Sequence, residues 1–246
     1  MSLNDENVIC VSTQVLETAL KSLTGWGRFK DQRDSSFYPS DQIPLYQVLN
    51  IFNYTESRSP IVLPRSEAET HKYFRHLIAY NVLSVNGQIF NYRRGKAGSE
   101  GRLHDLRSLG IGGHVNDEDC EGPLTADKLF NAVLREIQEE MLILGYNHCG
   151  PENLRYSHTV NYRGLIVDSS NEVGKVHVGV VYEFSYFFPL QTIFSASNLF
   201  GSRDHGLEDG KFSDFPSLSS PENKETYESW SKILINAMRV PVPTLF

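Results

Sequence analysis

Residues 134–143 read LREIQEEMLI: three glutamates and one arginine in a mostly apolar run. The run closes a longer segment, 125–143, whose periodicity predicts a helix. Phe130, Val133, Leu134, Ile137 and Met141 recur at the spacing of one helical face. Thr125 suits the N-cap, Asp127 falls in the first turn where the helix dipole favours an acid, and Gly145 suits a C-terminal stop. On such a helix Glu136, Glu139 and Glu140 stand at i, i+3 and i+4, on one face and one turn apart. Like charges so placed repel, and a hard divalent cation with oxygen ligands, Mg²⁺ or Mn²⁺, relieves that repulsion. Arg135 is positioned to orient a carboxylate or brace the loop before the helix. Taken alone, REIQEE reads as an ordinary solvated helix face, because glutamate-rich helices are common.

The flanking sequence changes the reading. LGIGGHV (109–115) predicts a short strand ending in the pair Gly112–Gly113, whose N–H groups have little steric cover, followed by an acidic loop over 116–124. Further upstream, RHLIAYNVLSV (75–85) and QIFNYRR (88–94) flank Asn86-Gly87, a strong hairpin signal, and a polar, basic loop fills 95–108. Downstream, strands are expected at 154–162 and 175–187, joined by a long hairpin loop containing DSSNEVG. The stretch 220–240 predicts a C-terminal helix, with Ser220 as cap and Pro221 at its first position. Before residue 61 the pattern gives a strand and a short amphipathic segment over 7–20, a loop over 24–44 and an apolar strand over 45–54. Residues 195–222 read as loop. Hairpins interspersed with helices imply a mixed sheet covered by helices.

The combination GGHV…REIQEEMLI resembles the box of the Nudix hydrolases. In that pattern a glycine and a glutamate precede Arg-Glu-aliphatic-x-Glu-Glu-x-Gly-aliphatic. Gly113 matches the first glycine, Arg135, Glu136, Ile137, Glu139 and Glu140 the central run, and Ile143 the last aliphatic position. The resemblance covers roughly residues 75–190. Three departures stand out: Asp127 replaces the first glutamate, Leu142 replaces the late glycine, and the stretch from Gly113 to Arg135 is about eight residues longer than the pattern. Leu142 implies that the helix runs on or leaves by an unusual exit. Asp117, Glu118 and Asp119, in the extra length, read as a solvated turn rather than as ligands.

The resemblance implies an α+β fold, an α/β/α sandwich with a mixed, curved sheet flanked by helices. A Nudix-like domain would span 61–246 and an N-terminal extension, 1–60, would pack on it. It also implies hydrolysis of a pyrophosphate bond in a nucleoside diphosphate-linked or related substrate. Glu136, Glu139 and Glu140 would hold Mg²⁺ or Mn²⁺, and Glu139, Glu140 and Arg135 would serve catalysis. Gly112, Gly113 and His114 would bind substrate, as would Arg93, Arg94 and Arg102 if their guanidinium groups meet phosphate rather than serving the surface. The general base in this family often lies elsewhere in the chain; Glu183, Glu172 and Glu208 are candidates, each with a stronger case for a structural role. Two other functions fit the same resemblance: a ligand-binding domain without activity, and an isoprenoid diphosphate isomerase, which calls for a cysteine or acid on the substrate side; Cys120, in the extra loop, and Cys149, after the helix, sit in no obvious signature.

The totals are consistent with this. A chain of 246 residues with 40% hydrophobic residues can build a core, and a net charge of −7 gives no global basic footprint for extended nucleic acid. The expected partner is a small phosphorylated molecule, with a homodimer left open. Three cysteines without a CxxC pair, the absence of a signal-peptide pattern and the absence of a long apolar span point to a cytoplasmic protein away from membranes. The eight histidines show neither HxxxH nor HExxH, so no zinc site is expected; His158 and His177 read as strand residues.

Overall fold

Twelve strands and eight α-helices build the fold in the computed structural model, which describes residues 6–24, 35–56, 58–96, 101–119, 122–143, 158–186, 200–202 and 207–238. In chain order they are β1 (Asn7–Ser12), α1 (Thr13–Thr24), β2 (Ser35–Pro39), α2 (Leu45–Phe52), β3 (Ile61–Pro64), α3 (Arg65–Ala68), β4 (Phe74–Val85), β5 (Gln88–Arg94), β6 (Arg107–Ser108), β7 (Gly110–His114), α4 (Ala126–Glu140), β8 (Met141–Ile143), β9 (His158–Asp168), α5 (Glu172–Val176), β10 (His177–Tyr186), β11 (Phe200–Ser202), β12 (Leu207–Ser213), α6 (Phe215–Leu218), α7 (Pro221–Lys224) and α8 (Ser229–Met238).

The main sheet has the order β12-β5-β4-β10-β9-β2, with β1 and β7 also on β4, β3 on β1 and β6 on β5. β4 reads FRHLIAYNVLSV, and its ten inner residues are all buried, the pattern of a strand covered on both faces. β10 runs beside it in the same direction: the rings of His76 and His177 adjoin near the two starts, and Ser84 donates to Ser185 near the two ends. β1, β5 and β12 meet their neighbours antiparallel, so the sheet is mixed. The expected α+β architecture, a mixed sheet flanked by helices, is what the chain forms.

The chain divides into two compact units. The first comprises residues 1–81, 111–137 and 161–182. Here β1 pairs with β3 (Ile9 opposite Val62) and β4 (Cys10 opposite His76), and β2 pairs with β9 (Phe37 opposite Ile166). Leu16 and Leu20 of α1 and Val48, Ile51 and Phe52 of α2 are buried at helical spacing. Asn53, which ends α2, exchanges two hydrogen bonds with the backbone of Leu124 and so anchors the approach to α4. Arg75, buried on β4, donates to the carbonyls of Asp168, Gly174 and His177 and to Ser169 Oγ, tying the β9–α5–β10 connection to the sheet.

The second unit comprises residues 82–110, 138–160 and 183–246. β4 and β5 form the expected hairpin around Asn86 (φ 48°) and Gly87 (φ 81°), both in the left-handed region that the tight turn demands. β12 covers the other side of β5, while β8 and β11 form a separate ribbon. Arg107 gathers this unit's polar core: it donates to Asn91 Oδ1 and to Asp209, Tyr227 Oη donates to the same Asn91 oxygen, and Asn91 donates to Ser213 Oγ.

Several segments differ from their sequence expectation. Residues 45–52 are a helix instead of a strand, because Val48, Ile51 and Phe52 can share a buried face only at helical spacing and Pro44 sits just ahead of the first turn, where a proline is tolerated. The expected loop 24–44 contains β2, and the expected loop 195–222 contains β11, β12 and α6. The acidic helix stops at Glu140, and Leu142 opens into β8, pairing opposite Gly201 of β11. The expected hairpin loop before β10 contains α5, capped by Asn171, which accepts from Gly174 N–H. The C-terminal helix is broken into α7, with Ser220 and Pro221 in the expected cap positions, and α8. Gly145, Cys120, Cys149 and residues 154–157 lie outside the described residues. No helix among the described residues is long and apolar enough to cross a membrane.

Candidate active site

α4 begins as the sequence predicts, with Thr125 Oγ1 accepting from Lys128 N–H and Asp127 exposed in the first turn. Leu129, Ala132, Val133 and Ile137 bury one face, and Glu136 lies among them, only 6% exposed. A carboxylate so enclosed needs a neighbour that leaves it room and partners that accept its charge.

Gly113 on β7 leaves the room. A Cβ there would lie 1.7 Å from Glu136 Oε2 and 2.1 Å from its Cδ, so the carboxyl group occupies the volume that any other residue would fill. Arg135 supplies charge. Its Nη1 donates to Glu136 Oε1 at 2.7 Å, its Nε and Nη2 donate to the two oxygens of Asp119 at 3.1 and 2.7 Å, and Nη2 also donates to the carbonyl of His114 at 2.9 Å. Asp119 is itself held by the Asn116–Asp119 turn, its Oδ2 accepting from Asn116 N–H. The guanidinium fork thus ties the acidic loop, the end of β7 and the helix into one corner. The reading of Asp119 as part of a solvated turn is therefore corrected: its side chain is 9% exposed and bound to Arg135, while Glu118 remains exposed and Asp117 accepts from Asn7.

Glu139 and Glu140 complete the same helix; Glu139 is exposed and Glu140 half-buried. The three acids offer hard oxygen donors, and the hollow at Gly113 keeps a carboxylate beside bare strand backbone. Both properties suit Mg²⁺ or Mn²⁺ and not a soft metal. Gly112 is also close-packed, 3.2 Å from Ala79 O at the Cβ position, and His114 turns its ring onto His76.

The arginines proposed for phosphate are engaged within the second unit. Arg93 pairs with Glu208 at 2.6 Å and Asp105 at 3.3 Å, Arg94 lies 3.9 Å from buried Glu228, and Arg102 is exposed in the short 3₁₀ turn Gly101–Leu103. Among the remote bases, Glu208 is thus the partner of Arg93, Glu172 pairs with Lys175 at 2.6 Å, and Glu183 accepts from the hydroxyls of Ser84 and Ser185. Asp119 was absent from the sequence-derived set. Its signal was an acid run ahead of a helix that carries a single mid-helix arginine, legible only once the two are known to meet.

Comparison with known proteins agrees at the level of fold. No family model matches the chain. Over 118 residues it is 36% identical to Protein YmaB of Bacillus subtilis (strain 168), a match covering 48% of this chain and 52% of that protein. The chain therefore spans about half the length of this curated relative. Among solved structures it is similar to Tm1382, described provisionally as a Nudix hydrolase, with a TM-score of 0.60 and 22% identity over 95% of this chain and 98% of that one. A weaker likeness, TM-score 0.36 and 16% identity, covers 67% of this chain and 41% of a bifunctional NMN adenylyltransferase/ADP ribose pyrophosphatase from Francisella tularensis. The fold is that of Tm1382.

Proposed function

We propose that this protein is a divalent-metal-dependent hydrolase of a pyrophosphate bond in a nucleoside diphosphate-linked or related small molecule. The observation that carries this reading is the Glu136 carboxylate seated in the hollow of Gly113 and clamped by Arg135. A buried acid fixed by one arginine and given space by one glycine presents a preoriented oxygen ligand beside bare strand backbone. Glu136, Glu139 and Glu140 are the proposed holders of Mg²⁺ or Mn²⁺. When bound, such an ion offsets charge on the phosphate oxygens and lowers the pKa of a coordinated water.

The chain's own groups do the rest. Arg135 fixes Glu136 and keeps its charge from wandering, so the carboxylate needs no rearrangement during reaction. Glu139, exposed at the end of the helix, is the proposed proton acceptor acting through water, alongside Glu140. The N–H groups of Gly112 and Gly113, with His114, form the proposed substrate-binding edge. Arg93, Arg94 and Arg102 are proposed for phosphate, each in exchange for the contacts it makes within the second unit. Residues 61–246 are taken as the hydrolytic domain and 1–60 as an extension packed on it, in a cytoplasmic protein.

The test is phosphate release with Mg²⁺ or Mn²⁺ across a panel of nucleoside diphosphate derivatives, comparing wild type with Glu136→Gln and Glu140→Gln. Turnover abolished by EDTA and lost in both variants is expected. Absence of turnover on every compound, with ligand-induced thermal stabilisation of wild type and variants alike, would replace the hydrolase with a ligand-binding domain.

A further inference from the structure

Three histidines far apart in sequence meet inside the first unit. His76 lies on β4, His114 ends β7 and His177 begins β10. Their ring centroids are 4.9 Å (His76–His114), 3.9 Å (His76–His177) and 5.9 Å (His114–His177) apart. His76 is 0% exposed, and neither of its ring nitrogens has a hydrogen-bond partner; His114 Nε2 has none either. Buried imidazoles ordinarily satisfy at least one nitrogen, so a site with three such atoms calls for an occupant. Glu69, at the C-terminal end of α3, closes the group: its Oε1 lies 3.9 Å from His177 Nε2, and one ligand atom from each of the four residues falls within 4.8 Å of the others.

We propose that Glu69, His76, His114 and His177 bind one divalent transition-metal ion, Zn²⁺ by preference, as a closed structural site. Three imidazole nitrogens and one carboxylate oxygen match the ligand preference of Zn²⁺ and leave no open position for a substrate. A tetrahedron with bonds of about 2.0–2.2 Å needs its ligand atoms about 3.3–3.5 Å apart, so the four side chains have only to close in by roughly an ångström. The surroundings already orient them. His177 Nδ1 lies 2.6 Å from the carbonyl of Val173, which can only accept; the proton therefore sits on Nδ1 and the lone pair on Nε2, on the Glu69 side. Arg65 stands behind the acids, 3.8 Å from Glu69 and 2.8 Å from Glu6, whose carboxylate is 4.0 Å from His114 Nδ1. With neutral imidazoles, two carboxylates and one guanidinium, the ion leaves the pocket at a net charge of about +1. Burial lowers the pKa of His76 and of His114, in keeping with the neutral, metal-ready form.

The pocket is closed to solvent at His76, so the ion would enter as the chain folds. The experiment is to unfold the full chain in guanidinium with a chelator and refold it with Zn²⁺ or Co²⁺. After desalting, retained metal is measured by mass spectrometry and the cobalt form by its visible spectrum. Wild type is expected to retain about one equivalent with a tetrahedral nitrogen/oxygen cobalt spectrum, and His76→Phe at least tenfold less, while Glu136→Gln retains as much as wild type. Should His76→Phe fail to fold, Glu69→Gln, at the half-buried rim, decides: at least tenfold faster loss of zinc to a competing chelator upholds the site. No metal retained by wild type, or retention unchanged in whichever of the two variants folds, overturns it.

Discussion

Glu136 and His76 are both enclosed polar side chains in the same unit, and their surroundings treat them in opposite ways. Around Glu136 the chain has assembled a partner for charge, a hollow for volume and a second acid, Asp119, to share the guanidinium. Around His76 it has assembled two further imidazoles, and no hydrogen bond reaches either ring nitrogen. The first corner is complete as a protein structure and is poised by its own hydrogen bonds. The second is incomplete without something that accepts lone pairs. Enclosure alone therefore does not distinguish a preorganised site from an expectant one; the state of the partners does.

The largest effect should come from breaking the complete corner. Arg135→Ala strands two carboxylates whose side chains are only 8% and 9% exposed, and should cost about 3–5 kcal/mol in denaturant unfolding. A loss under 1 kcal/mol would mean that the corner is not closed in solution. Gly113→Ala attacks the same place through volume. Expelling the carboxylate should cost roughly 1–3 kcal/mol of stability, and under the proposed function turnover should fall about 10²–10³-fold, read by calorimetry and by phosphate release.

The incomplete cluster should respond with the opposite sign. In chelator-treated protein, His76→Phe removes two unsatisfied nitrogens and should raise unfolding stability by about 1–3 kcal/mol; loaded with zinc, wild type should become the more stable of the two. Acidity gives the finest comparison. His76 and His114 are held neutral in the fold but take up a proton when unfolded below pH of about 6.5. The unfolded chain then binds more protons, so stability of the metal-free protein is complete above that pH and declines as pH falls, by about 1.4 kcal/mol per unit for each histidine. Urea midpoints between pH 7.5 and 5.5 would show it; half the slope would mean that one ring takes up its proton in the fold, and a flat profile that both do.

Helix α4, the Asn86-Gly87 hairpin and β7 were legible because each depends on a pattern contained within a dozen residues. The Gly113–Glu136 match was legible through resemblance. Asp119, and the meeting of His76, His114 and His177, were not, since contacts among residues so far apart exist only after the strands have been ordered. α2 was misread because an apolar run with β-branched residues suits either a strand or a buried helix, and only the burial of Val48, Ile51 and Phe52 together separates them. β12 was missed for the converse reason: LEDGKFS lies at the edge of the sheet, where solvent relieves the chain of any apolar alternation.

That edge has a consequence for how the molecule behaves in a crowded solution. β12 shifts register between Glu208 and Lys211, with Asp209 in a left-handed conformation, while β2 and β3, each paired on one side only among the described residues, end in Pro39 and Pro64. A neighbouring polypeptide seeking to extend the sheet would meet a kink at β12 and a proline without an N–H at β2 and β3. The outermost strands thus guard a β-rich chain against fibrillar stacking.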